Sequence, residues 1–135
     1  MNTVEHSPDE RTLPERTRYL VMVAAPPAIF ITHFVVAYAL ASVWCAKLAA
    51  PPDASLGGAL LPFAAITLVA IGGVAWIGWG GYRRHGRGFE TAPHDMDTPG
   101  DRHRFLGFAT LLLAGLSAVG IVFVATAFLA FDSCR

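Results

Sequence analysis

The chain has 135 residues, of which 54% are hydrophobic and 15% are charged, and its formal net charge is zero. That apolar excess is more than a small soluble domain can bury, and the sequence has no basic stripe for nucleic acid, no phosphate-binding loop and no Ser-His-Asp order. The composition therefore excludes a nucleic-acid-binding protein and argues against an enzyme. We expect a non-catalytic protein that lies in the lipid bilayer.

Three long apolar runs account for the composition. Residues 20–50, 56–82 and 105–131 contain no Asp, Glu, Lys or Arg apart from Lys47. Because a membrane-spanning helix needs about 20 apolar residues, each run is long enough to cross. We predict an all-α fold, a three-helix transmembrane bundle that forms one integral membrane domain over residues 1–135. The predicted transmembrane helices are 19–48, 56–82 and 103–131.

Local signals set the ends and directions of these helices. Thr12 in TLPE and Thr98 in TPGD are predicted N-caps, so the first and third helices begin before the lipid. Pro27 predicts a kink in the first helix. That helix is too long for a signal peptide, and Trp44 stands where a cleavage site needs a small residue, so we expect it to be retained. The turn PPDAS, 51–55, makes the second helix antiparallel to the first.

His33 is the one ionisable residue near the middle of a predicted span. A neutral imidazole carries one donor and one acceptor that lipid cannot satisfy. We expect a neutral, buried contact residue that faces another helix, of this chain or of a partner subunit, and no bound cofactor. The alternative is a haem ligand, whose second axial histidine would have to come from another chain. The hydroxyls available to His33 in the other helices belong to Thr67, Thr110, Ser117 and Thr126.

Small side chains recur at four-residue steps and predict the faces where helices meet. Alanine and glycine are also simply common in membrane helices, but small faces let helix backbones approach closely in lipid. On the second helix, Gly57, Gly58, Gly72 and Gly73 lack side chains and could allow such an approach. The predicted helix or partner contacts are His33, Ala37, Tyr38 and Ala41 on the first helix and Thr110, Ala114 and Ala118 on the third.

The segment between the second and third helices contains side chains of metal-binding type. Its spacing fits no known metal motif, so we expect a solvated hairpin and no metal site. The residues concerned are His85, His94, Asp95, Asp97, Asp101 and His103.

Arginine distribution predicts the orientation. Residues 1–18 carry three arginines and the connection 83–102 carries four, whereas the short connection 48–55 has none. Because positive residues favour the cytoplasm, the segments 1–18 and 83–102 are predicted to be cytoplasmic, with the N-terminus inside and the C-terminus outside.

Both cysteines then lie outside, at the ends of two parallel helices. That compartment permits disulfides, so we predict a bond between Cys45 and Cys134. Two free thiols, or a copper pair, are the alternatives. Copper is the weakest of these, because no Met or His lies near either thiol.

The stretches PPAIFITHFVVAYALASVWCAK and DRHRFLGFATLLLAG, with the terminal FDSC, resemble a family of small three-helix bacterial membrane proteins. Proteins of that family look like ones encoded beside the subunits of haem-copper (cytochrome c) oxidases. Phe30 stands where the family commonly has tryptophan. The resemblance implies a multi-pass protein of the bacterial inner membrane that serves as an accessory or assembly subunit of a respiratory terminal oxidase. The alternatives are a self-standing haem-binding redox protein that uses His33, and a structural membrane protein with an unrelated partner.

Overall fold

A computed structural model describes residues 13–48, 56–86 and 99–130 together with Cys134, and this part of the chain is helical up to Ala130. A π-helical turn, Trp44–Leu48, extends the first helix, and a 3₁₀ turn, Leu56–Ala59, precedes the second. The three α-helices are α1 (Leu13–Val43), α2 (Leu60–Gly86) and α3 (Pro99–Ala130).

All three helices are long and apolar enough to cross a membrane. The segments that meet this condition are Thr17–Lys47, Leu56–Arg83 and Phe105–Ala130. Large apolar side chains point outward on every helix, for example Leu61 at 84% and Phe123 at 73% exposed. Such a surface suits an apolar solvent. The predicted all-α fold, with three helices of membrane-spanning length, is confirmed.

Contacts along the helices fix their relative directions. His33 of α1 meets Thr67 of α2, whereas Trp44, in the π-helical turn after α1, meets Gly58 in the 3₁₀ turn before α2. These two helices are therefore antiparallel. In contrast, Phe30 packs on Gly120 and Cys45 is bonded to Cys134, so α1 and α3 are parallel with a nearly constant offset.

The core is a narrow seam between the three helices. Val74 of α2 and Ile121 of α3 are completely buried, and Ala70 and Ala114 complete the buried cluster. Phe30 of α1 packs against this cluster from the side. Few side chains are large and buried, so the helices are held chiefly by close van der Waals packing, as expected where lipid is as apolar as the core.

The helices extend further than the predicted spans. α1 begins at Leu13 and α3 at Pro99, each directly after a threonine predicted as a cap; those two threonines lie outside the described residues. The predicted cytoplasmic connection 83–102 is shorter as a result, because α2 continues to Gly86. Arginine is a good helix former, so a helix need not end where its apolar run ends. α1 also continues through Pro26 and Pro27 as one helix.

Candidate contact site around His33

His33 lies at the interface between α1 and α2. Only 4% of its surface is exposed, and its Nε2 is 3.0 Å from Oγ1 of Thr67. Of the four hydroxyls that the sequence offers on neighbouring helices, the one that His33 contacts is that of Thr67 on the second helix. The antiparallel register is the physical reason, since it brings Thr67 to the level of His33.

The Thr67 hydroxyl determines which ring nitrogen of His33 carries the proton. Thr67 Oγ1 lies 2.8 Å from the carbonyl oxygen of Phe63, which can only accept, so the hydroxyl must donate its single hydrogen there. The hydroxyl oxygen is then left to accept from Nε2–H of His33. The network therefore assigns the neutral Nε2–H tautomer, with a bare lone pair on Nδ1.

Nδ1 of His33 has no partner in the described part of the chain, although the atom is fully buried. Aromatic rings take up the space nearby. The Phe63 ring centroid lies 6.0 Å from that of His33, and Phe63 stacks on Phe128 of α3 with centroids 3.8 Å apart. The imidazole is thus bonded to Thr67 through Nε2 and has the ring of Phe63 beside it.

The other predicted contact residues of α1 divide between two environments. Ala37, one turn after His33, is 3% exposed and lies in the interior. Ala41 is half-buried, whereas Tyr38 is 70% exposed and points outward. The predicted contact of Tyr38 therefore stays a prediction.

The small stripe of α3 faces the C-terminal half of α2. A Cβ on Gly78 would lie 3.1 Å from the Cβ of Ala114, and one on Gly81 would lie 3.4 Å from the Cβ of Thr110. Ala118 is half-buried against the core cluster. The Thr110 hydroxyl is 2.7 Å from the carbonyl oxygen of Leu106, so it bonds its own helix and not His33.

The two remaining hydroxyl candidates also do not reach His33. Thr126 donates to the carbonyl of Phe123 on its own helix, 2.8 Å away. Ser117 is buried on α3.

A disulfide joins the ends of α1 and α3. Cys45 and Cys134 are bonded, with their Cα atoms 5.5 Å apart, so the predicted pairing is confirmed. Cys45 lies in the π-helical turn. The preceding Trp44 covers Gly58, where any Cβ would collide with the indole ring. All three helices are thus tied together at this end of the bundle.

Three of the tightest glycine contacts were not predicted from the sequence. Gly78 and Gly81 bring α2 against α3, and Gly120 accepts the ring of Phe30, 2.7 Å from an added Cβ. Two of the predicted glycines behave differently: Gly73 has only an ordinary contact and Gly72 faces open space. The signal that could have found the α2 pair is the three-residue step from Gly78 to Gly81, which places both on one helix face.

Among the side chains that the structure describes, no three metal-binding residues cluster. His94, Asp95 and Asp97 lie outside the described residues, as do the side chains of His85, Asp101 and His103. The expectation of a solvated hairpin there remains a prediction.

Comparison with protein families, with curated proteins and with solved structures found no match. The resemblance to oxidase-associated membrane proteins therefore stays an expectation drawn from the sequence motifs.

Proposed function

We propose that this chain is a non-catalytic accessory or assembly subunit of a respiratory haem-copper terminal oxidase in a bacterial inner membrane. The observation that supports a non-catalytic role is the hydrogen bond between His33 and Thr67. His33 is the one ionisable side chain near the middle of a predicted span within the described segments. Its Nε2–H donates to Thr67 on the neighbouring helix, so it holds α1 to α2. The oxidase is proposed as the partner because the sequence motifs resemble those of that family.

A haem bound to His33 is less well supported by the geometry. Iron ligation requires a free ring nitrogen with access to the haem face. Nε2 is hydrogen-bonded to Thr67, and Nδ1 is buried away from the surface of the bundle. Haem could bind only if α1 rotated and the hydrogen bond to Thr67 were given up.

The surface proposed to face the oxidase is a stripe on α1. Ile31, Phe34, Val35 and Tyr38 are each at least half exposed and occupy positions i, i+3, i+4 and i+7 of the helix. Such residues share one helix face. Tyr38 adds the one hydroxyl of this stripe, and a hydrogen bond from it to a neighbouring subunit would fix the register of the contact.

Affinity isolation of the tagged chain from native membranes tests the proposal. We expect the eluate to show the visible spectrum of a haem-copper oxidase, and the same chain produced alone in a foreign host to be colourless. The double variant Phe34→Ala/Tyr38→Ala is expected to lose most of the oxidase from the eluate. The control Leu61→Ala/Leu68→Ala, which truncates even more exposed side chains on α2, is expected to retain it. A Soret band in the foreign host that His33→Leu abolishes would instead establish the haem-binding alternative.

The orientation is part of the same proposal. The arginine-rich ends are placed in the cytoplasm, and the disulfide is placed outside, where such bonds persist. Cys45 and Cys134 are the two cysteines of the chain. In intact cells, a membrane-impermeant thiol reagent should therefore label the protein only after an impermeant reductant has been added. Labelling without reductant would show free thiols, and labelling that requires permeabilised cells would reverse the orientation.

A further inference from the structure

A groove of about 570 Å³ lies between α2 and α3. It is open on one side, and α1 contributes nothing to its lining. Its walls are almost entirely apolar and include Val74, Trp79, Ala114 and Ala118. Gly115 also lines it, and a Cβ there would meet no heavy atom within 4 Å, so the space beside this residue is empty of protein.

Arginines follow closely in the sequence after the lining residues at one end of the groove. Tyr82 lines the groove, and Arg83, the next residue, is exposed. Since Gly81 packs on the backbone of Gly107, the last turns of α2 lie beside the first turns of α3. The helical residues 82–86 and 99–104 contain a single acid, Asp101, against four arginines, which are Arg83, Arg84, Arg102 and Arg104.

We propose that this groove binds an acyl chain of an anionic phospholipid whose phosphate is held at the arginine-rich end. An open apolar groove in the hydrocarbon layer excludes water and is filled by a lipid chain. Guanidinium groups pair with phosphate oxygens, and basic pockets between membrane helices select anionic headgroups. Trp79 and Tyr82 carry the amphipathic rings typical of the headgroup level. A docked protein helix would use the small residues but would leave the exposed Arg83, next to the lining residue Tyr82, without a role.

Trp79 can report on the lipid in the groove. With Trp44→Phe and Trp76→Phe it becomes the one tryptophan of the chain. The protein is placed in phosphatidylcholine nanodiscs that contain a small fraction of brominated-chain lipid, either phosphatidylglycerol or phosphatidylcholine. We expect the brominated phosphatidylglycerol to quench Trp79 at a severalfold lower fraction. Equal quenching by the two lipids would overturn the proposal, and quenching by neither would overturn it by showing that a protein chain covers the groove.

Two pairs of variants separate the headgroup from the chain. Arg83→Gln should reduce the preference on the order of fivefold, the factor expected for one basic side chain near an anionic surface. Arg18→Gln, the same change on α1, should not. Gly115→Leu should fill the groove and abolish the preference, whereas Gly80→Leu, which also enters open space but does not line the groove, should preserve it. An intact disulfide and unchanged helicity show that each variant has folded; a preference that survives in folded Gly115→Leu would also overturn the proposal.

Discussion

Gly81→Leu is expected to lower the free energy of unfolding of the bundle by about 1–3 kcal/mol, the usual cost of forcing extra atoms into a packed interior. A Cβ on Gly81 would lie 3.0 Å from the carbonyl oxygen of Gly107 and 3.3 Å from the amide nitrogen of Leu111. Both are backbone atoms, so no change of rotamer relieves the overlap. α2 and α3 must separate where close packing is what holds them.

The adjacent glycine provides a matched control. A Cβ on Gly80 meets nothing within 4 Å, so Gly80→Leu adds the same side chain toward open space. Its effect should stay within about 0.5 kcal/mol, as for most surface substitutions. Reversible unfolding in mixed detergent micelles, followed by circular dichroism with the disulfide intact, measures both variants. Equal losses of stability at the two positions would contradict the packing described for α2 and α3.

Thr67→Val is expected to destabilise the bundle more than His33→Leu does. Valine keeps the shape of threonine but removes the acceptor of Nε2–H, which leaves both ring nitrogens of His33 buried without partners. A buried donor that loses its partner costs about 1–3 kcal/mol. In His33→Leu, the Thr67 hydroxyl still donates to the carbonyl of Phe63, so the loss should be near the average of about 0.6 kcal/mol for hydrogen bonds between membrane helices.

The double variant His33→Leu/Thr67→Val tests more strictly why Thr67→Val should cost more stability than His33→Leu. Once His33 is leucine, Thr67→Val leaves no polar atom of residue 33 unpaired, and its cost should largely disappear. The same unfolding measurement on the two single variants and the double variant gives the coupling free energy between the two positions. Additive losses, or a larger loss for His33→Leu than for Thr67→Val, would contradict the assigned tautomer and the role given to the pair.

The apolar runs were sufficient to predict three helices of membrane-spanning length, because the thickness of the hydrocarbon layer sets a lower limit on each run. The number of spans was sufficient to bring Cys45 and Cys134 together, since three helices that alternate in direction put the ends of the first and third on the same side and at similar depth. These predictions depend on the length of each apolar run and on the side of the membrane at which each helix ends. Neither requires knowledge of which helix faces are in contact.

The helix faces were harder to predict, because they depend on register. Gly80 and Gly81 are chemically identical neighbours, yet one faces open space and the other faces a backbone. A rotation of about 100° per residue separates these environments, and nothing in the composition of α2 fixes its rotation. The partner of His33 was uncertain for the same reason. Hydroxyls were available on two helices, and the antiparallel alignment that selects Thr67 is a property of the assembled bundle.

Membership of a larger membrane complex is tested most directly by the mass of the intact assembly isolated through this chain under non-denaturing conditions. The proposed function predicts a complex in which the 14.4 kDa chain is present in fixed ratio to haem-containing oxidase subunits and leaves the complex on activation in the gas phase. Recovery of the chain alone, or with subunits that carry no haem, from membranes that contain assembled oxidase would contradict it.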